Sequence, residues 1–245
     1  MKKHIPNIIT CCNLVCGCIA VGAAFQNPIP LNYFWAIVFI LLGAIFDFFD
    51  GMAARALGVS SPIGKELDSL ADVVTFGVAP SAMLFSLFQE VQYPEFMEPL
   101  RAFMPYTAFL IAAFSALRLA KFNIDIRQTS SFIGLPTPAN ALMLMSLAVL
   151  SEQGHVALYQ EHIAVISVAA ALLLISPIRM FSLKFKKGST YNRIRFIFAG
   201  IVAAIAIAAF ILKINWGYIV LLSLTCYIFF NLLLALPFGK KVNKD

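Results

Sequence analysis

Residues 32–57 read NYFWAIVFILLGAIFDFFDGMAARAL, and after a short break residues 64–89 read GKELDSLADVVTFGVAPSAMLFSLFQ. Each run is apolar and long enough, at about 1.5 Å per helical residue, to cross a hydrocarbon layer roughly 30 Å thick. Each also carries two aspartates within the predicted membrane helix: Asp47 and Asp50 in the first, Asp68 and Asp72 in the second. The chain has twelve acidic residues, so a third of them fall in these two helices. An ionised aspartate within a span costs about 2.5 to 3.5 kcal/mol, and four unpaired ones would cost roughly 10. Something positive must sit among them.

Helical geometry says where. Positions three or four apart share a helix face, so Asp47 pairs with Asp50 and Asp68 with Asp72. Counted from the turn around Val59 to Ile63, Asp50 and Asp68 lie about 6 to 10 Å deep and Asp47 and Asp72 about 12 to 15 Å deep. A short connection makes the helices antiparallel neighbours, so the four carboxylates can converge at matching depths as an oxygen-ligand cage. The nearby cations, Arg55, Lys65 and Arg118, are too few to neutralise four charges. Divalent cations would do so. Hard oxygen ligands favour Mg²⁺ or Mn²⁺, with Ca²⁺ a further occupant, and the first two commonly share their coordination with substrate phosphates. A phosphate-bearing substrate is therefore expected. Gly51 and Gly64 let a ligand approach the backbone, and Arg55 offers a fork that suits phosphate.

The rest of the chain sets these helices in a larger bundle. It has 245 residues, of which 61% are hydrophobic and 12% charged. A domain of that size lacks the volume to hide so much apolar surface from water. The expected fold is an all-α polytopic transmembrane bundle, one integral membrane domain over residues 1–245. Apolar runs and their breakers predict eight helices, near 8–25, 32–57, 64–89, 101–124, 136–151, 161–178, 193–213 and 215–237. The formal charge of +6 comes from basic residues between these runs. Lys2 and Lys3, Arg55 and Lys65, Arg118 with Lys121 and Arg127, Arg179 through Arg195, and Lys240, Lys241 and Lys244 alternate with connections poor in Lys and Arg. That asymmetry places both termini and the Val59 turn in the cytoplasm. It explains the charge better than nucleic acid does, so no nucleic-acid partner is expected. Tyr33, Phe34 and Trp35, and Trp216 with Tyr218, fall at outer helix ends and read as membrane anchors.

Other features carry less. Cys11, Cys12, Cys16 and Cys18 read as small buried hydrophobes rather than metal ligands. The start of the chain imitates a signal peptide, but Pro6, Asn7 and Asn13 interrupt it and more spans follow, so cleavage is not expected. His4, His155 and His162 have no partner at metal or catalytic spacing. Buried carboxylates could also line a cation transporter. Transporters place such acids at mid-bilayer between internal repeats, and neither feature occurs here.

The segment Asp47-Phe48-Phe49-Asp50-Gly51-Met52-Ala53-Ala54-Arg55, with Gly64, Asp68 and Asp72 following at fixed spacings, resembles the signature of the CDP-alcohol phosphatidyltransferases. The pattern fixes eight identities across twenty-six positions, and all are present. The resemblance implies a hydroxyl attacking the diphosphate of a CDP-lipid with release of CMP. It further implies that Asp47, Asp50, Asp68 and Asp72 hold two divalent cations, that Gly51, Ala54, Arg55 and Gly64 surround the cytidine diphosphate, and that Asp72 is the general base. Three further segments, Pro6 to Thr10, Arg118 to Asn123 and Phe132 to Ala141, are similar to the subgroup that uses L-serine. CDP-diacylglycerol and L-serine are thus the substrates implied, with glycerol 3-phosphate the alternative acceptor. The resemblance also implies a multi-pass protein of the cell membrane with its site toward the cytoplasm, and a homodimer.

An amino-acid acceptor brings a carboxylate, so a cation should face it. Arg118, Lys121 and Asn123, at the end of the fourth helix, are placed to do this, although positive-inside placement accounts for the first two equally well. Pro136 and Pro138 suit the start of a helix. The basic run Lys184, Lys186, Lys187, Arg193 and Arg195 could hold anionic lipid or guide the CDP headgroup, with topology its simplest role.

Overall fold

The computed structural model describes residues 4–26, 33–59, 61–89, 91, 99–125, 131–181 and 192–235. Among them the chain forms eight helices and one short ribbon. The helices are α1 (Ile5–Phe25), α2 (Phe34–Leu57), α3 (Pro62–Leu87), α4 (Met104–Ile124), α5 (Thr137–Glu152), α6 (Gln160–Ile175), α7 (Asn192–Ile211) and α8 (Trp216–Ala235). The first turn of α4, Met104–Ala108, is a 3₁₀ helix. Helices α1 to α4 and the stretch Trp216–Leu233 of α8 are long and apolar enough to cross a membrane. Gln160–Ile175 and Phe196–Ile211 are apolar but shorter. The chain is therefore a polytopic membrane bundle. Lys2, Lys3, Arg127, the lysines at 184–187 and 240–244, and the connection at 27–30 lie outside the described residues.

Helix α3 is the axis of the bundle. About two thirds of its apolar window is buried, against 17% for α8. Helix α1 runs along α2 and touches α3 from end to end, while α4 and α5 cover the other side of α3. Where helices meet, the residues are small: Ala20, Ala24, Ala36, Ala79, Ala82, Ala108, Ala141 and Ala148 are all buried. Without a hydrophobic force between helices in lipid, close backbone approach through small side chains is what holds such a bundle together. Large apolar side chains such as Phe48, Phe196 and Phe210 point outward, where lipid tails solvate them.

The turn between α2 and α3 follows from four residues. Gly58 takes a left-handed conformation with φ +61°, and the Val59 N–H donates to Ala54 O, which ends α2. Ser61 then caps α3, its Oγ accepting from the Gly64 N–H at 2.9 Å, with Pro62 at the first helical position. The helix thus starts two residues earlier than expected, because a serine cap and a proline suit that place better than the glycine does.

Helix α3 is α-helical over Pro62–Asp72 and Ala79–Leu87, but Val73–Val78 between them is a π-helix. The widened turn begins right after Asp72, and it buries Thr75, Phe76 and Gly77. Two glycines of neighbouring helices receive it. A Cβ on Gly17 would lie 2.5 Å from Thr75 Oγ1, and one on Gly43 would lie 2.6 Å from Thr75 Cγ2.

Two expectations need correction. Tyr33 is no membrane anchor: it is fully buried, donates its hydroxyl to Met83 O at 2.9 Å, and its N–H donates to Glu152 Oε2. Phe34 and Trp35 beside it are exposed. The sixth helix ends at Ile175 rather than 178, because the chain turns into a ribbon. Ser131–Ile133 pairs antiparallel with Arg179–Phe181, Phe132 opposite Met180. Gly134, at φ +79°, follows the first strand, and a Cβ there would fall 2.1 Å from Leu174 O. Gly134 N–H donates to Ile178 O, and Leu135 N–H to Leu173 O. Leu135, Met180, Phe198 and Tyr227 form a second small core under this ribbon. Pro136 and Pro138 flank the first residue of α5, as helix-start residues should.

Candidate active site

The aspartates come together as helical spacing requires. One carboxylate oxygen from each of Asp47, Asp50 and Asp68 lies within 4.8 Å of the others. Asp50 is buried and the other two are half-buried. Asp72 stands one turn deeper on α3, and the Asp47 carboxyl is within hydrogen-bonding reach of both Asp68 and Asp72. Carboxylates this close repel one another unless a proton or a cation lies between them. Three converging oxygen donors with no amine or guanidinium among them suit a hard divalent cation. The residues therefore fit the metal site expected of them, with Asp47, Asp50 and Asp68 as its tight core and Asp72 beside it.

Helix α1 braces this cluster through polar residues that the sequence reading passed over. Thr10 Oγ1 donates to Asp50 Oδ2 at 2.6 Å. Thr75 Oγ1 donates to Asn13 Oδ1 at 2.8 Å, and Asn13 Nδ2 donates to Asp72 Oδ1 at 3.4 Å. An ionised Asp72 only accepts, so the Asn13 amide turns its NH₂ toward it and its oxygen toward the Thr75 hydroxyl, which is also 3.1 Å from Asn13 O. The signal for these residues was available: Thr10 and Asn13 are polar groups in an apolar run, expensive for the same reason as the aspartates.

Above the carboxylates, between the start of α1 and the α2–α3 turn, lies a cavity of about 250 Å³. Asp50 and Asp68 form part of its wall, with Gly51, Ala54, Gly64, Asn7, Thr10 and Lys65. Gly64 is closely walled, since a Cβ there would sit 3.0 Å from both Asn7 Oδ1 and Ser61 Oγ. Arg55 is exposed, and its Nη1 lies 3.3 Å from where a Gly51 Cβ would be, so the guanidinium folds back over the glycine. A group with several acceptor oxygens entering this cavity meets backbone, one lysine, the nearby arginine and the carboxylate cluster together.

The three residues expected near an acceptor part company. Arg118 is buried on α4 and lies within electrostatic range of Asp72 and of Tyr227. Lys121 is exposed. Asn123 ties α4 to α3, donating through Nδ2 to Ser69 Oγ at 2.8 Å while its carbonyl accepts from Lys65 Nζ at 2.7 Å. The four cysteines of α1 are free, and the expectation that they are buried holds for Cys16 alone: Cys12 is half-buried, and Cys11 and Cys18 are exposed because they fall on the outward face of the helix.

Residues 3–176 match the family model of the CDP-alcohol phosphatidyltransferases. The chain belongs to this family. The match takes in α1 to α6 and stops before α7. Among curated relatives, the CDP-diacylglycerol--serine O-phosphatidyltransferase of Bacillus subtilis (strain 168) is 39% identical over 150 residues, 60% of this chain and 76% of its own. The protein of the same name from Methanocaldococcus jannaschii is 34% identical over 177 residues, 71% of this chain and 72% of its own. An archaetidylserine synthase from Methanothermobacter thermautotrophicus is 28% identical over 177 residues, 71% of this chain and 68% of its own.

Proposed function

We propose that the chain transfers the phosphatidyl group of CDP-diacylglycerol to the hydroxyl of L-serine, releasing CMP, at the cytoplasmic face of the cell membrane. The observation that carries this is the meeting of Asp47, Asp50 and Asp68 oxygens within 4.8 Å of one another, two of these residues, Asp50 and Asp68, lining a cavity together with Gly51, Ala54 and Gly64. Serine as acceptor draws its support from the relatives named above.

In this reading the cytidine diphosphate group occupies that cavity, where Gly51, Ala54 and Gly64 admit it to the backbone and Lys65 and Arg55 face its oxygens. Asp47, Asp50, Asp68 and Asp72 would hold two divalent cations, Mn²⁺ or Mg²⁺ with Ca²⁺ a further occupant, which when bound would neutralise the charge that develops on the diphosphate. Asp72 is the general base. A serine hydroxyl is a poor nucleophile until its proton has somewhere to go, and a carboxylate within hydrogen-bond reach takes it as the new bond forms. The serine oxygen bonds to the phosphorus that carries diacylglycerol, the P–O bond to CMP breaks, and CMP leaves with the electron pair. Asn13, held by Thr75, donates to one oxygen of Asp72 and so turns the other toward the reacting hydroxyl.

The test supplies purified protein with CDP-diacylglycerol and Mn²⁺ or Mg²⁺, and in separate arms L-serine and glycerol 3-phosphate. CMP release with serine is expected. Release with glycerol 3-phosphate alone would keep the chemistry and overturn the acceptor, and release with neither would overturn the reading.

A further inference from the structure

Lys65 declines the partner nearest to it in sequence. It stands three residues before Asp68 on α3, so the two side chains share a face, and a lysine at that spacing ordinarily pairs with the carboxylate. Of the described residues that line the cavity it is the one basic group, in a wall that also holds Asp50 and Asp68. Its Nζ goes elsewhere, to Asn123 O on α4 at 2.7 Å, and among the described residues no ion pair joins it to a carboxylate.

Asn123 makes this possible with both halves of the residue. It lies in the last turn of α4, whose final carbonyls have no partner within the helix. The helix dipole makes that end negative, which favours a cationic side chain there. The amide fixes where the carbonyl stands: Asn123 Nδ2 donates to Ser69 Oγ at 2.8 Å, and Ser69 Oγ donates to Lys65 O at 3.3 Å. Ser69 follows Lys65 by about one turn on α3. Asn123 thus grips one strip of α3 twice, by its side chain at Ser69 and by its carbonyl at Lys65. This bond takes one of the three N–H donors on Nζ and leaves two for a ligand in the cavity.

We infer that Asn123 is a positioning residue for the CDP-lipid: by holding Lys65 away from Asp68 it leaves the carboxylate cluster to divalent cations and the lysine to the diphosphate. This rests on the phosphatidyl-transfer reading and deepens it, since it moves Asn123 from the acceptor to the other substrate. A lysine that is already ordered loses less side-chain freedom when a phosphate arrives. Released from Asn123, the same lysine falls on Asp68 and competes with the cation for its oxygens.

The experiment uses the full-length protein in detergent micelles with two readouts: Mn²⁺ binding without substrate, followed by the electron paramagnetic resonance signal of the free ion, and KM measured separately for each substrate. Asn123→Ala is expected to weaken Mn²⁺ binding about three- to tenfold, less than removal of a direct partner of a metal ligand does. It should raise the KM for CDP-diacylglycerol by a similar factor and leave that for L-serine within about twofold. Lys65→Met alone should raise the KM for CDP-diacylglycerol about tenfold, the loss of a hydrogen bond to a charged group, with Mn²⁺ held as tightly as by the wild type. The deciding arm combines the two: with no lysine left to fall on Asp68, Asn123→Ala/Lys65→Met should recover wild-type Mn²⁺ binding. Ser69→Ala removes the same anchor from the α3 side and carries the test if Asn123→Ala fails to fold, while Ser69→Thr, which keeps the hydroxyl, should behave as the wild type. Unchanged Mn²⁺ binding in both Asn123→Ala and Ser69→Ala overturns the positioning role. So does weak binding that persists in the double variant, which marks a general loss of packing, and so does a KM that rises for serine alone. A wild type that binds Mn²⁺ but releases no CMP with either acceptor overturns the proposed function instead, and the Mn²⁺ arms still decide the role of Asn123.

Discussion

Helices α1 to α3 and helix α7 inhabit the same bilayer by different rules. Between residues 196 and 211, helix α7 has only apolar side chains, many of them exposed, and among the helices it lies mainly against α8. Helices α1 to α3 carry Thr10, Asn13, Asp47, Asp50, Asp68, Asp72 and Thr75 in the same solvent, and these residues face one another. Lipid makes each such group expensive, so a polar side chain there persists because something uses it. The family model ends at residue 176, before α7, in line with a catalytic unit followed by helices that serve as wall. Helix α8 meets that unit along α5, with Tyr227 in the small core beneath the ribbon.

This contrast can be attacked by substitution. The largest effect is expected for Asp47→Asn/Asp68→Asn, which takes two oxygen ligands from the core of the cluster. CMP release should fall by at least ~10⁴-fold, the equivalent of several kcal/mol of lost charge stabilisation. Melting in detergent micelles should show the fold intact, because neutral amides end the repulsion between carboxylates. Next comes Asp72→Asn, expected to lower turnover by about 10³-fold, within the range a general base contributes, with CDP-lipid binding little changed. Equal loss of binding and turnover would show that Asp72 serves mainly as a ligand.

A smaller effect, about 10- to 100-fold in kcat, is expected for Asn13→Ala and for Thr75→Val, the scale seen when partners that orient a functional ligand are removed. If both lower kcat and combining them costs no more than one alone, they act as a single relay. Fully additive losses would break that picture. The smallest effect belongs to α7. Phe210→Leu exchanges one lipid-facing side chain for another and should change stability by no more than about 0.5 kcal/mol, with CMP release unaltered.

How much of this was legible in the sequence depends on the kind of signal each element leaves. The aspartates announced themselves, because spacings of three and four on adjoining helices permit one arrangement and the cost of bare charge in lipid demands a reason for it. The α2–α3 turn could be read from Gly58, Ser61 and Pro62, each suited to one backbone position. The π-helix after Asp72 left no mark, since Val73 to Val78 would suit an α-helix equally well, and the widened turn answers to the glycines of α1 and α2 packed against it. Tyr33 misled for a related reason. An aromatic at a helix end is as compatible with a headgroup as with a buried carbonyl acceptor, and only the position of Met83 decides. The ribbon at 131–133 and 179–181 joins segments nearly fifty residues apart, a distance at which helical periodicity says nothing. Thr10 and Asn13 were legible and overlooked, for the argument applied to charges holds for uncharged polar groups at lower cost.

The central claim is that two adjoining helices gather carboxylates in order to hold divalent cations. Titrating the purified protein with Mn²⁺ while following the electron paramagnetic resonance signal of the free ion tests it without reference to any substrate. The account expects the wild type to deplete that signal and Asp47→Asn/Asp68→Asn to leave it as it is in buffer. A folded double variant that binds Mn²⁺ as tightly as the wild type would contradict it.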